Sequence, residues 1–406
     1  MTPAEIAALG RLGGHAFSGL VSRIEGVHRA VAGRAFGPAG PAAAPVRAIH
    51  DSTARGVYLA VRSAGAAAGV LGGQAVSVLG PAGQPAGGDP GGNLALAALN
   101  AVAGDRLGRG LAPLAIRMAV RADGRDVGLT AEELSAAFGH PGRRLAVFVH
   151  GLAETEDSWQ RRSAGSGPYG PRLHDEFGYT PVYIRYNTGR HVSDNGRDLA
   201  RLLTGLVAAW PEQVDELLLL GHSMGGLVIR SACHYGQQES AAWVDRVRHV
   251  FYLGSPHLGA PLARAAGFAG WAFGKVAETR PFVTLVNGSS AGIKDLRHGY
   301  LLADDWADCD QDSCLRDHRR NTPLLPGANH YTISATVTAD PDHPLGAVAG
   351  DLLVQPASAH GRRGRRQHIP FPLSSRRGLG GLHHFDLLNH PDVWKAIRDL
   401  LSGAAP

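Results

Sequence analysis

From residue 114 onward the chain alternates between two patterns. Short apolar runs recur at LAVFVH (145–150), TPVYIRY (180–186), ELLLLG (216–221), VRHVFYLG (247–254), HYTISATVT (330–338) and RQHIPFP (366–372). Their apolar character is continuous, which suits parallel strands covered on both faces. Between them lie amphipathic stretches. In GRDLARLLTGLVAAW (196–210), Leu199, Leu202, Leu203, Leu206, Val207 and Trp210 fall on one stripe at helical spacing. A last helix is expected from Pro391, a residue suited to a first helical turn, with Val393, Ile397, Leu400 and Leu401 on one side. Ahead of the first run, AIRMAVRADGRDVGL (115–129) carries an Asp-Gly turn between two strand-like pieces, a hairpin signal. Thr130 and Glu133 then form a capping box that opens a short helix. Strands alternating with amphipathic helices predict a mostly parallel central sheet with helices on both faces.

The first hundred residues read differently. They are rich in Ala and Gly, with loops at GPAGPAAAP (37–45) and GPAGQPAGGDPGGN (80–93) and helix-like segments at 3–34, 51–72 and 94–107. We expect a helical N-terminal extension over 1–110, with no identifiable chemistry, ahead of an α/β domain over 111–406.

Composition narrows the class. With 44% hydrophobic and 18% charged residues over 406 positions, the chain is a soluble globular protein with room for a large core. Three cysteines are too few for a disulfide scaffold. Cys309 and Cys314, in CDQDSC, lack the further ligands zinc needs, and no metal is expected. The net charge of +5 is concentrated in RRGRR (362–366) and Arg376-Arg377. No aromatics interleave with it, so a solvated loop is expected and nucleic-acid binding is not. The N-terminus lacks the charged start and apolar core of a signal peptide. The stretch AGAAAGVLGGQAVSVLG (64–80) is short and made of small residues, so no integral membrane segment is expected. A cytoplasmic location follows. Oligomeric state is not legible.

Chemistry enters through serine. The pattern G-x-S-x-G occurs twice, as GHSMG around Ser223 and GSSAG around Ser290. A nucleophile elbow needs a strand delivering the serine, a turn too tight for side chains on its flanks, and a helix. Ser223 has a strand in Leu217 to Leu220, Gly221 and Gly225 on either side, and an apolar helical segment after. Ser290 has FVTLV before it, but IKDLRHGY after it makes a poor helix; it reads as a loop serine. Acyl transfer through serine also needs two backbone N–H groups aimed at the developing oxyanion. Met224, next after the serine, supplies one; Leu152, in the HGL turn that follows LAVFV, supplies the other. His150 and His222 read as structural.

At this point the chain resembles the α/β-hydrolase fold, and within it the serine lipases and esterases. The motifs that carry the likeness are VFVHGL (147–152), GHSMGG (221–226), GSPHLGAP (254–261), GDLLVQPASA (350–359) and HHFDLLNHP (383–391). The combination is similar to bacterial lipases and to the lipase-like family that includes GPI inositol-deacylases, over roughly residues 114 to 402. The fold's order of serine, acid, histidine places the acid on the loop after HYTISATVT. Asp351 occupies the position where similar lipases carry theirs; Asp340 and Asp342 are the alternatives. His383, His384 and His390 all lie before the last helix, and the His-x-Asp pattern of related lipases selects His384. Some of those lipases bind calcium through the residue matching Asp386, with Asp295 or Asp304 as conceivable distant partners. Asp386 is instead expected to orient the histidine loop. The resemblance implies a cap after the sixth strand, over 260–325, whose Phe268, Trp271 and Phe273 suit either an apolar lid over an acyl chain or a purely packing role. The implied activity is hydrolysis of a small-molecule or lipid carboxylic ester through an acyl-enzyme on Ser223, with no cofactor. Transfer to another alcohol by the same residues, and a non-catalytic scaffold, are the rivals.

Overall fold

The computed structural model describes residues 90–108, 111–160, 167–260, 290–308, 318–363 and 367–403, with scattered helical positions before residue 64. The chain divides into two compact units. One comprises Met1–Gly92, Leu107–Ala115 and Glu278–Gly288, and its longest described stretch before residue 64 is helical, at residues 7–14. The other, Asn93–Arg106, Ile116–Ala277 and Ser289–Pro406, holds the sheet. Helix α1 (Pro90–Ala103) therefore gives most of its length to the sheet-bearing unit, although its Ala-rich composition matches the zone upstream.

The strands are β1 (Ala119–Ala122), β2 (Arg125–Val127), β3 (Arg144–Val149), β4 (Thr180–Arg185), β5 (Glu216–His222), β6 (Val247–Leu253), β7 (Asn329–Thr336), β8 (Arg362–Arg363), β9 (Gln367–His368) and β10 (Arg376–Gly380). Eight of them form one sheet in the order β10-β7-β6-β5-β3-β4-β1-β2. From β10 to β4 every pairing is parallel; β1 runs antiparallel to both β4 and β2. The Asp-Gly turn behaves as its sequence requires, with Asp123 at φ 48 and Gly124 at φ 73. Thr130 caps helix α2 (Ala131–Phe138), its side chain accepting from the Glu133 N–H at 3.2 Å.

Helices α3 (Tyr169–Phe177), α4 (Val192–Ala209), α5 (Met224–Gln238), α6 (Ala291–His298) and α7 (Pro391–Leu401) complete the main elements. Both faces of the sheet are buried, which explains the continuous apolar runs. Ala146 and Phe148 of β3 and Leu218 and Leu220 of β5 pack with Tyr169, Leu173, Trp394 and Ile397 from α3 and α7. Their alternate neighbours, Leu145, Val147, Leu217 and Leu219, are fully buried too. Among the described residues no helix is long and apolar enough to cross a membrane.

One predicted strand is wrong. RQHIPFP contributes only Gln367–His368, paired with Arg362–Arg363 in a separate two-stranded ladder. Pro370 and Pro372 offer no N–H to a ladder, so the run cannot enter the sheet. The last strand is instead RRGLG at 376–380, pairing with β7 at the sheet edge. It went unread because it has one large apolar residue and two arginines.

Strand order places the site. The chain leaves β3 toward β4 on one side, then returns to lay β5 on the other. Loops leaving β3 and β5 thus diverge at a switch point, and an open α/β sheet has its crevice at the carboxyl ends there. This is the α/β-hydrolase fold.

Candidate active site

β5 ends at His222 and α5 begins at Met224, so Ser223 alone makes the turn. It does so at φ 52, ψ −120, a region that L-residues occupy only when the surroundings impose it. Its N–H donates to the Leu253 carbonyl at 2.8 Å, which locks the turn to β6. Close approach accounts for both flanking glycines. A Cβ on Gly221 would lie 2.6 Å from Gly226 N, and one on Gly225 would lie 2.2 Å from the Val149 carbonyl. The first turn of α5 is thereby pressed against the end of β3, bringing Met224 beside the His150–Gly151–Leu152 turn. An added Cβ at Gly151 would sit 3.0 Å from Ser223 Cβ.

Leu152 and Met224 are both buried, and neither N–H donates to an acceptor among the described residues. The turn that carries Leu152 is braced at every step. Ala153, at φ 58, donates its N–H to Thr188 Oγ1 at 3.3 Å. The His150 ring stacks on Tyr186 at 4.5 Å, with Nδ1 2.9 Å from the Gly151 carbonyl and Nε2 3.3 Å from the Tyr186 N–H. A carbonyl partner and an N–H partner fix one tautomer, with the proton on Nδ1. Burial lowers its pKa, outweighing the nearby Glu154 and Glu156, so this ring is neutral.

Further along, Glu156 receives both Arg185, at 2.5 and 2.6 Å, and Arg121, at 2.8 Å. Burial opposes its charge, but the two guanidiniums prevail and hold its pKa below the ordinary value.

Asp351 and His384 meet. The carboxylate Oδ2 lies 2.7 Å from His384 Nδ1, with the two side chains 1% and 3% exposed. Asp351 Oδ1 accepts from the Leu353 and Val354 N–H groups at 3.0 and 2.7 Å, and its carbonyl accepts from the His384 N–H at 2.9 Å. With Nδ1–H donated to the carboxylate, Nε2 is left as the basic nitrogen. The ring lies against the end of β6, where a Cβ on Gly254 would come 3.1 Å from Cε1. On its other side is His222, at a ring separation of 4.8 Å. Strand ends after β5, β6 and β7 and the loop after β10 thus converge on one point.

The alternatives lie elsewhere. Asp340 and Asp342 are exposed, and Asp340 caps the Asp342 N–H at 3.0 Å. His383 is 42% exposed and pairs with Asp386, which also accepts from the His383 N–H at 2.9 Å. Asp386 therefore braces the histidine loop. His390 caps α7 through the Asp392 N–H. Asp295 is buried at the start of α4, accepting from the Val192 N–H at 2.8 Å.

Ser290 departs from its reading as a loop serine. A helix does follow it, and its Oγ caps that helix, accepting from the Ile293 N–H at 3.3 Å and donating to the Ala101 carbonyl at 2.6 Å. Phe268, Trp271 and Phe273, and both Cys309 and Cys314, lie outside the described residues, as does most of the expected 260–325 cap; Cys233 is a buried free thiol.

Sequence reading missed Glu154. Its carboxylate is buried between the Gly151 N–H, at 2.7 Å, and His222 Nδ1, at 3.0 Å. The one available signal was its spacing, three residues beyond the glycine of the HG turn.

Residues 180–319 match the family model of the PGAP1-like alpha/beta domain. No curated protein matches the chain. Among solved structures, the mature lipase BlEst2 of Bacillus licheniformis is similar at 20% identity and a TM-score of 0.44, over 64% of this chain and 94% of that one. Lipase B of Aspergillus fumigatus is similar at 13% and 0.41, over 70% of this chain and 60% of its own. The metagenomic carboxyl esterase MGS0156 is similar at 15% and 0.37, over 65% and 76%.

Proposed function

We propose that this α/β-hydrolase-fold chain is a serine hydrolase that cleaves carboxylic esters through an acyl-enzyme. The observation that carries the reading is the buried Asp351–His384 contact of 2.7 Å beside a serine held at φ 52 between strand and helix. A carboxylate on Nδ1 fixes the tautomer whose Nε2 can take a proton, and supports the imidazolium formed when it does.

In the first half-reaction Ser223 Oγ attacks the ester carbonyl carbon while its proton passes to His384 Nε2. The carbonyl π pair moves onto oxygen, and the Leu152 and Met224 N–H groups donate hydrogen bonds to that oxyanion. Collapse of the tetrahedral centre breaks the bond to the alcohol, which leaves with the proton from Nε2. Water then repeats the sequence on the acyl-enzyme, releasing the acid and restoring Ser223. Asp351 stays ionised throughout. Both donors belong to apolar, buried residues, and the acyl group is best matched by an uncharged aliphatic chain.

A fluorophosphonate probe tests this directly. The expected result is one covalent adduct, on Ser223, lost in Ser223→Ala. An adduct on Ser290, or none on folded protein, refutes the assignment.

A further inference from the structure

Glu154 lies in AETED, which reads as a solvated acidic turn, yet it is 8% exposed. Its Oε2 accepts from the Gly151 N–H at 2.7 Å, and both carboxylate oxygens lie 3.0 Å from His222 Nδ1. On the far side of the imidazole, Nε2 is 3.2 Å from the His384 carbonyl oxygen. A carbonyl only accepts, so Nε2 carries a proton; an ionised carboxylate only accepts, so Nδ1 carries one too. His222 is then a buried imidazolium directly behind the nucleophile. The electrostatics agree. Burial disfavours both charges, but mutual attraction prevails, holding the Glu154 pKa below and the His222 pKa above their ordinary values. The Asp351 charge adds to the pull on His222, and the Gly151 N–H adds to the hold on the Glu154 carboxylate. The His384 ring faces the pair from the base loop.

We propose that Glu154 and His222 are a positioning pair that holds the oxyanion turn, the nucleophile and the base loop in one register. The proposal rests on the serine-hydrolase reading above. Neither side chain touches substrate. Glu154 fixes the direction of the Gly151 N–H, and its own N–H donates at 3.3 Å to the Gly151 carbonyl, on the peptide that carries the Leu152 N–H. His222, bonded in sequence to Ser223, holds the carbonyl of the residue whose ring must face that serine. One carboxylate and one imidazole thus join the three loops through one chain of hydrogen bonds. A site loosened here still binds ester in its ground state, but its donors no longer meet the oxyanion. The loss belongs to kcat and not to KM.

The test uses the full chain and a p-nitrophenyl ester. Glu154→Ala should lower kcat roughly ten- to a hundredfold with KM within about twofold, the scale of a small misplacement in a site. Fluorophosphonate capture of Ser223 should slow by a similar factor. Glu154→Gln should keep kcat within about fivefold, because its oxygen can still accept from Gly151 while its amide donates to a neutral His222. Should Glu154→Ala not fold, His222→Asn decides by the same criterion, since it cannot span from Glu154 to the His384 carbonyl. A second arm needs no turnover. Nitrogen NMR of the imidazoles should show His222 doubly protonated at neutral pH in the wild type and neutral in Glu154→Gln. Unchanged kcat in a folded Glu154→Ala, or a neutral His222 in the wild type, overturns the pair. A wild type that neither turns over esters nor captures the probe refutes the hydrolase reading instead, while the NMR result still decides the pair.

Discussion

Two serines occupy the same five-letter frame, and the fold uses them in opposite ways. Ser290 sits in extended backbone, φ −62 and ψ 162, one residue before a helix. From there its Oγ reaches the third N–H of the helix and becomes a cap, its ordinary use. Ser223 also precedes a helix, but at φ 52, and makes no cap bond. A strand that enters a helix through one residue leaves no room for the extended conformation a cap needs. The side chain is withheld from its own backbone and remains available to a ligand. Available hydroxyl and satisfied hydroxyl therefore follow from the backbone before the helix, not from the glycines that define the motif.

The sharpest way to break this contrast is to remove each hydroxyl. Ser223→Ala should abolish turnover, with a loss on the order of a millionfold in kcat. Ser290→Ala should keep kcat near the wild-type value in ester hydrolysis. Equal losses in the two would end the comparison.

Next in size is the acid. Asp351→Asn leaves the shape but reverses the tautomer preference of His384, and kcat should fall on the order of ten-thousandfold. Asp340→Ala should change little. His383→Ala should likewise be tolerated where His384→Ala is not; the opposite result would move the base by one residue.

How legible was this in the sequence? Strands β3 to β7 announced themselves because both faces of the sheet are covered, and burial on both faces leaves unbroken apolar runs. The β1–β2 hairpin was readable from Asp123-Gly124 for the same kind of local reason. RRGLG was not, since an edge strand needs little apolar surface. The helix after Ser290 was misjudged because Asp295 and Gly299 read as interruptions, whereas the serine caps its start and Gly299, at φ 71, closes its end. Within the site, Ser223, Leu152 and Met224 could be argued from local elements. Asp351 and His384 needed the family resemblance, because what unites them is a contact across 33 residues that no periodicity encodes. Glu154 was hidden by its neighbours: five polar positions in a row, Glu154 to Ser158, describe a surface turn unless the partners are known.

Smaller effects probe what surrounds each serine. An aliphatic acyl pocket gains about 0.8 kcal/mol per buried methylene. Across p-nitrophenyl esters from acetate upward, kcat/KM should thus rise by up to roughly tenfold per two carbons until the pocket is full. A flat or falling series would remove the apolar pocket from the reading, and a strong preference for emulsified triglyceride would recast the protein as an interfacial lipase.

Acid should distinguish the two neighbourhoods. Glu156, paired with Arg121 and Arg185, has its pKa held below the ordinary 4.5, so near that value the unfolded chain binds more protons than the folded one. The stability it contributes is present above about pH 4.5 and is lost as pH falls through the folded value. Glu156→Gln should flatten that acid limb in chemical denaturation measured at stepped pH. Ser290→Ala, the smallest effect, should lower the whole curve by about 1 kcal/mol, the worth of a helix cap, with its slope unchanged.

The Glu156 junction reaches further than its size suggests. Arg185 belongs to the parallel body of the sheet, while Arg121 comes from the antiparallel hairpin at its margin. A chain trimmed to its parallel strands would keep every proposed reacting group and still deprive a buried carboxylate, four residues past Leu152, of one of its two cations. The margin of the sheet is therefore part of the protein's tolerance to change: substitutions at Arg121, far along the chain from Ser223, should weaken the buried Glu156 junction.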